Sequence, residues 1–334
     1  MTFPPFFLWC YRIEQSLQDS QDDGVDADIP FHHQTVRDLA WVMASPSLLA
    51  PDDTVYKGPK VDDPWCRSVY RDGLDWLHDL DRDPLPLQRC LDQTDSPLLG
   101  AYFEQLLGLW LDHLPETRLL ARNLIVTEPA RRIGEFDLLF RDRSRDETVH
   151  WEVAVKFYLR HGQGGWRWLG PNPRDTLARK LDKVFSRQLQ LPQHPRARQL
   201  LQQRFGATEV RSRALIKGYL FYPLDSDWRH PSAIPAGVSR DHLRGWWCRQ
   251  ADVPACLAQC LAAHRWVVLP RLQWLAPLCR DTAQGLLSGE TLSARLADHF
   301  THHHQAQLVV ELAPSGTAWR EVSRGFVVNR HWPE

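Results

Sequence analysis

The chain has 334 residues, 43% apolar and 24% charged, which excludes wholesale disorder and leaves room for one large domain or two modest ones. Forty basic residues offset forty-one acidic ones, so no global field draws the protein to a polyanion. Any nucleic-acid site must be a local patch.

The opening MTFPPFFLWC lacks a basic n-region, and its apolar run is short and broken by proline. It reads as neither signal peptide nor membrane span. Seven cysteines without a CxxC pair suit a reducing compartment. The expectation is a soluble cytoplasmic protein with no membrane partner. Residues 1–32 are acidic and aromatic-tipped. TVRDLAWVMA (35–44) then predicts a helix, SPSLLAP breaks it, and VYRDGLDWLHDL and PLQRCLDQ carry further helical signals. Residues 1–96 thus read as a helical N-terminal extension without legible site chemistry.

The grammar changes at Pro97. PLLGAYFEQLLGLWLDHL (97–114) has helical apolar spacing and one internal acid, Glu104. ARNLIVT (121–127) is a β-type run, and Ile133–Phe140 and Val149–Tyr158 alternate with period two. A Gly- and Trp-rich loop comes next (162–173). Asp175 reads as the N-cap of a helix extending to about Leu191, and RALIKGYLFY (213–222) is another strand. Beyond Pro223, HLRGWW (242–247) reads as a turn or short helix and Val253–His264 as a helix. Trp266–Leu269 reads as a strand, residues 286–300 as a helix, and 307–312 and 325–328 as strands.

The two alternating strands carry the chemistry. Odd positions of the first are Ile133, Glu135, Asp137 and Leu139; even positions of the second are His150, Glu152, Ala154, Lys156 and Tyr158. The remaining face of the second strand is wholly apolar. A hairpin turning at Ser144 and Arg145 sets Asp137 opposite Glu152 and Glu135 opposite Ala154, with facing side chains roughly 5 Å apart. A one-residue slip would set the acids against valines. Clustered carboxylates on one strand face are costly unless neutralised, and a hard divalent cation such as Mg²⁺ or Mn²⁺ does this with oxygen ligands. Such an ion supplies Lewis acidity and an activated water for phosphodiester hydrolysis. The chain holds only six lysines (Lys57, Lys60, Lys156, Lys180, Lys183, Lys217) among 34 arginines, so a lysine on that face is informative.

GEFDLLFRD followed by WEVAVKF resembles the PD-(D/E)XK nuclease superfamily, whose members carry an Asp on one strand and (D/E)-x-K on the next. The order of helix, three strands, helix, strand is similar too. The resemblance implies a restriction-endonuclease-like core, a mixed central sheet flanked by helices, over residues 97–223. It further implies that Asp137 binds metal with a strand carboxylate, Glu152 or Glu135, that Lys156 assists the nucleophile, and that Glu104 is the acid of the first helix. The sequence departs from the pattern at Ala154, which fills the usual acid slot. Glu152 is four residues before Lys156, roughly 13 Å along a strand. Three resolutions stay open: Glu152 is the metal acid and the lysine reaches back along a bent strand; Glu135 fills the slot from next door; or the site is silent and the fold only binds. Phrases from VRDLAWVMASPSLL to HLRGWW also resemble one uncharacterised bacterial family of domains of unknown function, over nearly the whole chain.

Around this core, Lys180 and Lys183 share a helix face and are candidates for phosphate contact. Trp166 and Trp168 are candidates for stacking on unpaired bases or, with more weight, for packing the loop. Cys256, Cys260 and His264 would align at i, i+4 and i+8 on one helix, a metal edge outweighed by a core-face reading. His302, His303 and His304 read as a solvated run. The sequence therefore predicts an α/β protein with a nuclease core at 97–223 and a mixed α+β region at 224–334 packed on it. Its expected activity is a hydrolase acting on DNA or RNA.

Overall fold

Among the described residues, four helices precede residue 97: α1 (Gln34–Ala44), α2 (Asp63–Asp72), α3 (Leu74–Arg82) and α4 (Leu85–Leu91). This computed structural model describes residues 29–92, 96–129, 131–162, 167–258 and 260–334; the readings for residues 1–28 and for Trp166 lie outside them. Asp62 caps α2 by accepting from the Trp65 amide, with Pro64 in the first turn. From Val36 to Ala44 every residue of α1 is buried, and Trp41 stacks on Tyr219 of the sheet with centroids 6.0 Å apart. The N-terminal helices therefore pack into the main core.

α5 (Leu99–His113) buries Leu99, Phe103, Leu106, Leu107, Trp110 and Leu111, an i, i+4, i+7, i+8 stripe against the sheet. β1 (Thr117–Glu128), β2 (Arg131–Asp142), β3 (Glu147–His161) and the short β4 (Arg167–Leu169) come next. The helix expected over 175–191 is shorter. α6 (Leu177–Lys183) is capped by Thr176, not Asp175, and passes into a π-helical turn at Val184–Gln188. Asp175 is drawn instead into side-chain pairing with β3 (Lys156 Nζ, 2.7 Å). α7 (Pro195–Phe205) has no counterpart among the sequence expectations; it ends on Gly206 in the left-handed region (φ +67°).

β5 (Arg211–Pro223), β6 (Leu243–Arg249), α8 (Val253–Leu257), β7 (Arg265–Val268), β8 (Cys279–Arg280), α9 (Gly289–His302), β9 (Gln307–Ser315) and β10 (Ala318–Val328) complete the fold. Among the described residues all ten strands belong to one sheet, ordered β1-β2-β3-β5-β6-β10-β9-β7, with β4 on β3 and β8 on β10. The centre, β3-β5-β6-β10, is parallel; both wings are antiparallel. The protein is thus α/β with a mixed ten-stranded sheet flanked by helices. Residues 224–334 extend the sheet that begins in 97–223.

Two expectations fail in the C-terminal region. HLRGWW is the strand β6, not a turn or helix. Trp246 and Trp247 point to opposite faces, each joining a different core cluster, as a strand buried on both sides requires. The helix at Val253 ends by Leu257, so Cys256, Cys260 and His264 do not line one helix face. His264 is held instead by the buried Glu311 carboxylate at 2.8 Å.

Gly218 enforces the close approach of β3 and β5. Its φ is +139°, and a Cβ there would lie 1.8 Å from the Lys156 carbonyl oxygen. Gly218→Ala is expected to break the parallel ladder at Lys156. Chemical denaturation should show a loss of more than ~3 kcal/mol or failure to fold.

Candidate active site at the β2–β3 fork

The β2–β3 ladder pairs Asp142 with Glu147 through Leu138 with Trp151, the register expected from sequence. It stops one position short of Asp137 and Glu152. From there β2 stays with β1, while β3 pairs with β5. Asp137 thus sits in the crotch of a fork, and its Oδ2 accepts from the Val153 amide at 2.9 Å, a donor that the parting strand leaves free. The β1–β2 ladder also omits this level, passing from Arg122–Leu138 to Leu124–Phe136. Its missing partner, Asn123, has φ +50°. Nothing in the sequence signals this kink, since Asn is merely tolerant of the left-handed region. The kink breaks the even–odd rule: Leu138 faces the α5 side, whereas Phe136 joins the cluster under α7.

Four expected residues converge on the fork. Glu152 is 1% exposed, and Lys180 of α6 places Nζ 3.4 Å from its Oε1. Burial first, then the Asp137 charge, pushes the Glu152 carboxyl up to about 8; Lys180 opposes this. Burial likewise raises Asp137, against the Val153 hydrogen bond and Lys180. Glu104 of α5 is raised to about 7, by burial and then by Asp137, with an Asn123 hydrogen bond and Lys180 pulling it back. These mutual effects are the electrostatic signature of carboxyls gathered in one low-dielectric place.

Glu135 is half-buried at the rim, ion-paired with Arg132, and its charge is felt by both Asp137 and Glu104. Lys156 lies on the same strand but is spoken for by Asp175, which also receives the Tyr158 hydroxyl at 3.3 Å. The ammonium group at the carboxylates is therefore Lys180, not Lys156. Lys183 is exposed. Trp168, on β4, packs edge-to-face on Tyr222 at 5.2 Å, half-buried.

The donor set suits a hard divalent cation in part. Glu152 Oε2 is buried and receives no N–H or O–H donor, and the two carboxyls lie within hydrogen-bonding reach of each other, so with both ionised nothing neutralises the contact. A shared proton or a cation would satisfy it. Mg²⁺ commonly binds one or two carboxylates and keeps several waters, and Asp137 with Glu152 meets that minimum. Among the described residues, no group of three or more His, Cys, Asp or Glu side chains converges tightly enough to hold a metal ion.

A family model described as a domain of unknown function, DUF1853, matches residues 37–328. The chain belongs to the DUF1853 family. The match runs from within α1 to the last residue of β10, so the DUF1853 unit embraces the N-terminal helices, the fork and the C-terminal strands. No curated protein and no solved structure matches the chain. In this DUF1853 chain Cys66, Cys90, Cys248, Cys256 and Cys279 are free thiols, and His302, His303 and His304 are exposed. No helix among the described residues is long and apolar enough to cross a membrane.

Proposed function

We propose that the protein is a metal-dependent phosphodiesterase with a restriction-endonuclease-like core, hydrolysing DNA or RNA at the β2–β3 fork. The observation that carries this reading is the buried carboxyl pair Asp137–Glu152, within hydrogen-bonding reach of each other, with an ammonium group 3.4 Å from Glu152 Oε1. Asp137 and Glu152 would hold Mg²⁺ or Mn²⁺, with Glu135 and Glu104 as flanking acids. When bound, the ion supplies Lewis acidity and a water of lowered pKa. Asp137 is oriented by the Val153 amide, so its carboxyl is held in a fixed direction beside Glu152. Lys180 stands where it would offset the negative charge developing on a phosphate. The Lys156–Asp175 pair lies farther along the same strand face and would support the loop before α6.

The test is cleavage of end-labelled single- and double-stranded DNA and RNA with Mg²⁺, Mn²⁺ or EDTA, alongside calorimetric titration with Mn²⁺. The expected result is turnover that requires metal, and a Mn²⁺ binding isotherm lost in Asp137→Asn. Metal-independent turnover, or none on any substrate, removes the reading. A second reading has its own support: Lys180 already neutralises Glu152, and Ala154 leaves the usual acid slot empty. On that reading the fold binds nucleic acid or protein without turnover, and Mn²⁺ gives no isotherm.

A further inference from the structure

The chain as a whole is nearly neutral, but one segment is not. Residues 183–208 contain no Asp or Glu, although 41 of 334 residues are acidic, so about three would be expected in that length. The same stretch carries Lys183, Arg187, Arg196, Arg198 and Arg204, and all five are exposed. Among the described residues none of the five is within salt-bridge distance of a carboxylate. The hydrogen bonds of Arg196 and Arg198 go to the neutral Gln199 and Gln193, and Arg204 lies over the Phe205 ring. Cations left without acids in a chain with acids to spare form a standing positive patch.

This segment lies against the fork. It continues directly from α6, whose Lys180 reaches Glu152. Its π-helical turn and the Leu191–Gln193 turn after it pack on β2. Leu191 rests on Gly134, three residues from Asp137, where a Cβ would come within 2.9 Å of it. α7 then turns Ala197 and Leu201 down onto Leu124, Val126 and Phe136, leaving Arg and Gln over most of its outer side. A helix with its apolar residues turned inward has nothing to insert into a bilayer. Cations interleaved with neutral amides suit a regularly spaced polyanion that needs positioning more than base reading.

We propose that residues 183–208 form the docking face for the phosphodiester backbone of a nucleic acid, holding it alongside the Asp137–Glu152 fork. This rests on the phosphodiesterase reading for its substrate class, but binding is measurable without turnover. The experiment is fluorescence anisotropy with labelled duplex DNA, single-stranded DNA and RNA oligonucleotides in EDTA, which blocks cleavage. Wild type is compared with the triple variant Arg196→Gln, Arg198→Gln, Arg204→Gln, and with a control triple, Arg67→Gln, Arg89→Gln, Arg240→Gln, whose arginines are exposed elsewhere. The expected result is a roughly tenfold or greater rise in Kd for the first triple and none for the control. The slope of log K against log salt should fall by about 2–3, since each lost contact removes about 0.7–0.9. The oligonucleotide type bound with the lowest wild-type Kd at matched salt identifies the preferred substrate class. Absence of binding by wild type, or equal losses in both triples, overturns the proposal. If binding behaves as expected but no metal-dependent cleavage exists, the docking face stands and the hydrolytic reading alone falls.

Discussion

Glu152→Gln is expected to abolish metal-dependent cleavage while raising the melting temperature at pH 8 by about 1–2 °C, on the order of 1 kcal/mol for a chain of 334 residues. The two effects share one cause. Glu152 is buried beside Asp137, and its carboxyl is pushed up to about 8 from an ordinary 4.5. Between those values the folded protein holds a proton that the unfolded chain has released, so stability falls as pH rises through this window. Below about pH 4.5 both states are protonated and the group contributes no pH dependence. Above about 8 the full cost of the buried charge is present. Glutamine is neutral throughout and keeps an oxygen for Lys180, so the variant's advantage should be small at pH 5 and largest at pH 8–9. Mn²⁺ at pH 8 should raise the melting temperature of wild type and leave the variant unmoved. Differential scanning fluorimetry across pH, with and without Mn²⁺, measures all of this. A variant less stable than wild type at pH 8 would mean that the Glu152–Lys180 pair outweighs the burial cost.

The β2–β3 hairpin is legible in the sequence because alternation is a strong signal when one face is buried. Trp151, Val153 and Phe157 can face only the core, which fixes Glu152 on the opposite face and, by extending the ladder one step past Leu138–Trp151, Asp137 level with it. The sheet's centre is harder to read. β6 is covered on both sides, so its adjacent tryptophans lack the period-two pattern that marks a half-buried strand. The Val253–His264 segment has helical spacing, but the buried Glu311 recruits His264 across 47 residues, a tertiary demand that no local pattern records. α7 is obscure because only Ala197 and Leu201 of its apolar residues are fully buried, too few to give a stripe.

The site is half legible for a related reason. Strand neighbours of known register can be placed by counting, as Asp137, Glu152 and Glu135 are. A side chain delivered from another element cannot. Lys180 reaches the fork because α6 crosses the face of β3, and the π-helical turn that begins at Val184 shifts the helical phase of the residues beyond α6. Asn123 depends on a single backbone dihedral. Lys156 departs from its expected role because strand position fixes where its Cα lies, not which acid its long stem finds, and Asp175 lies closer to hand.

That exchange of lysines gives the second large effect. Lys180→Ala is expected to lower cleavage on the order of 100-fold, whereas Lys156→Ala should cost about tenfold or less. Their stability profiles should differ in kind. With Lys180 present, the ionised Glu152 has a partner at 3.4 Å; without it, the carboxyl stays protonated to still higher pH because its main opposing influence is gone. At pH 6 the glutamic acid is protonated in both proteins and the loss is modest. Above about pH 8 only wild type can ionise the group against a neighbouring cation, so the stability gap should widen with pH. Lys156 is more exposed than Lys180 and pairs with a half-exposed Asp175, an interaction that solvent screens, so Lys156→Ala should show a small gap that is flat over the same range. Lys180→Arg keeps the charge and should recover the stability profile. Urea denaturation at pH 6, 7.5 and 9, alongside single-turnover cleavage, separates the two lysines. A pH-independent Lys180→Ala gap, or a larger cleavage loss in Lys156→Ala, would return the assisting role to the strand lysine.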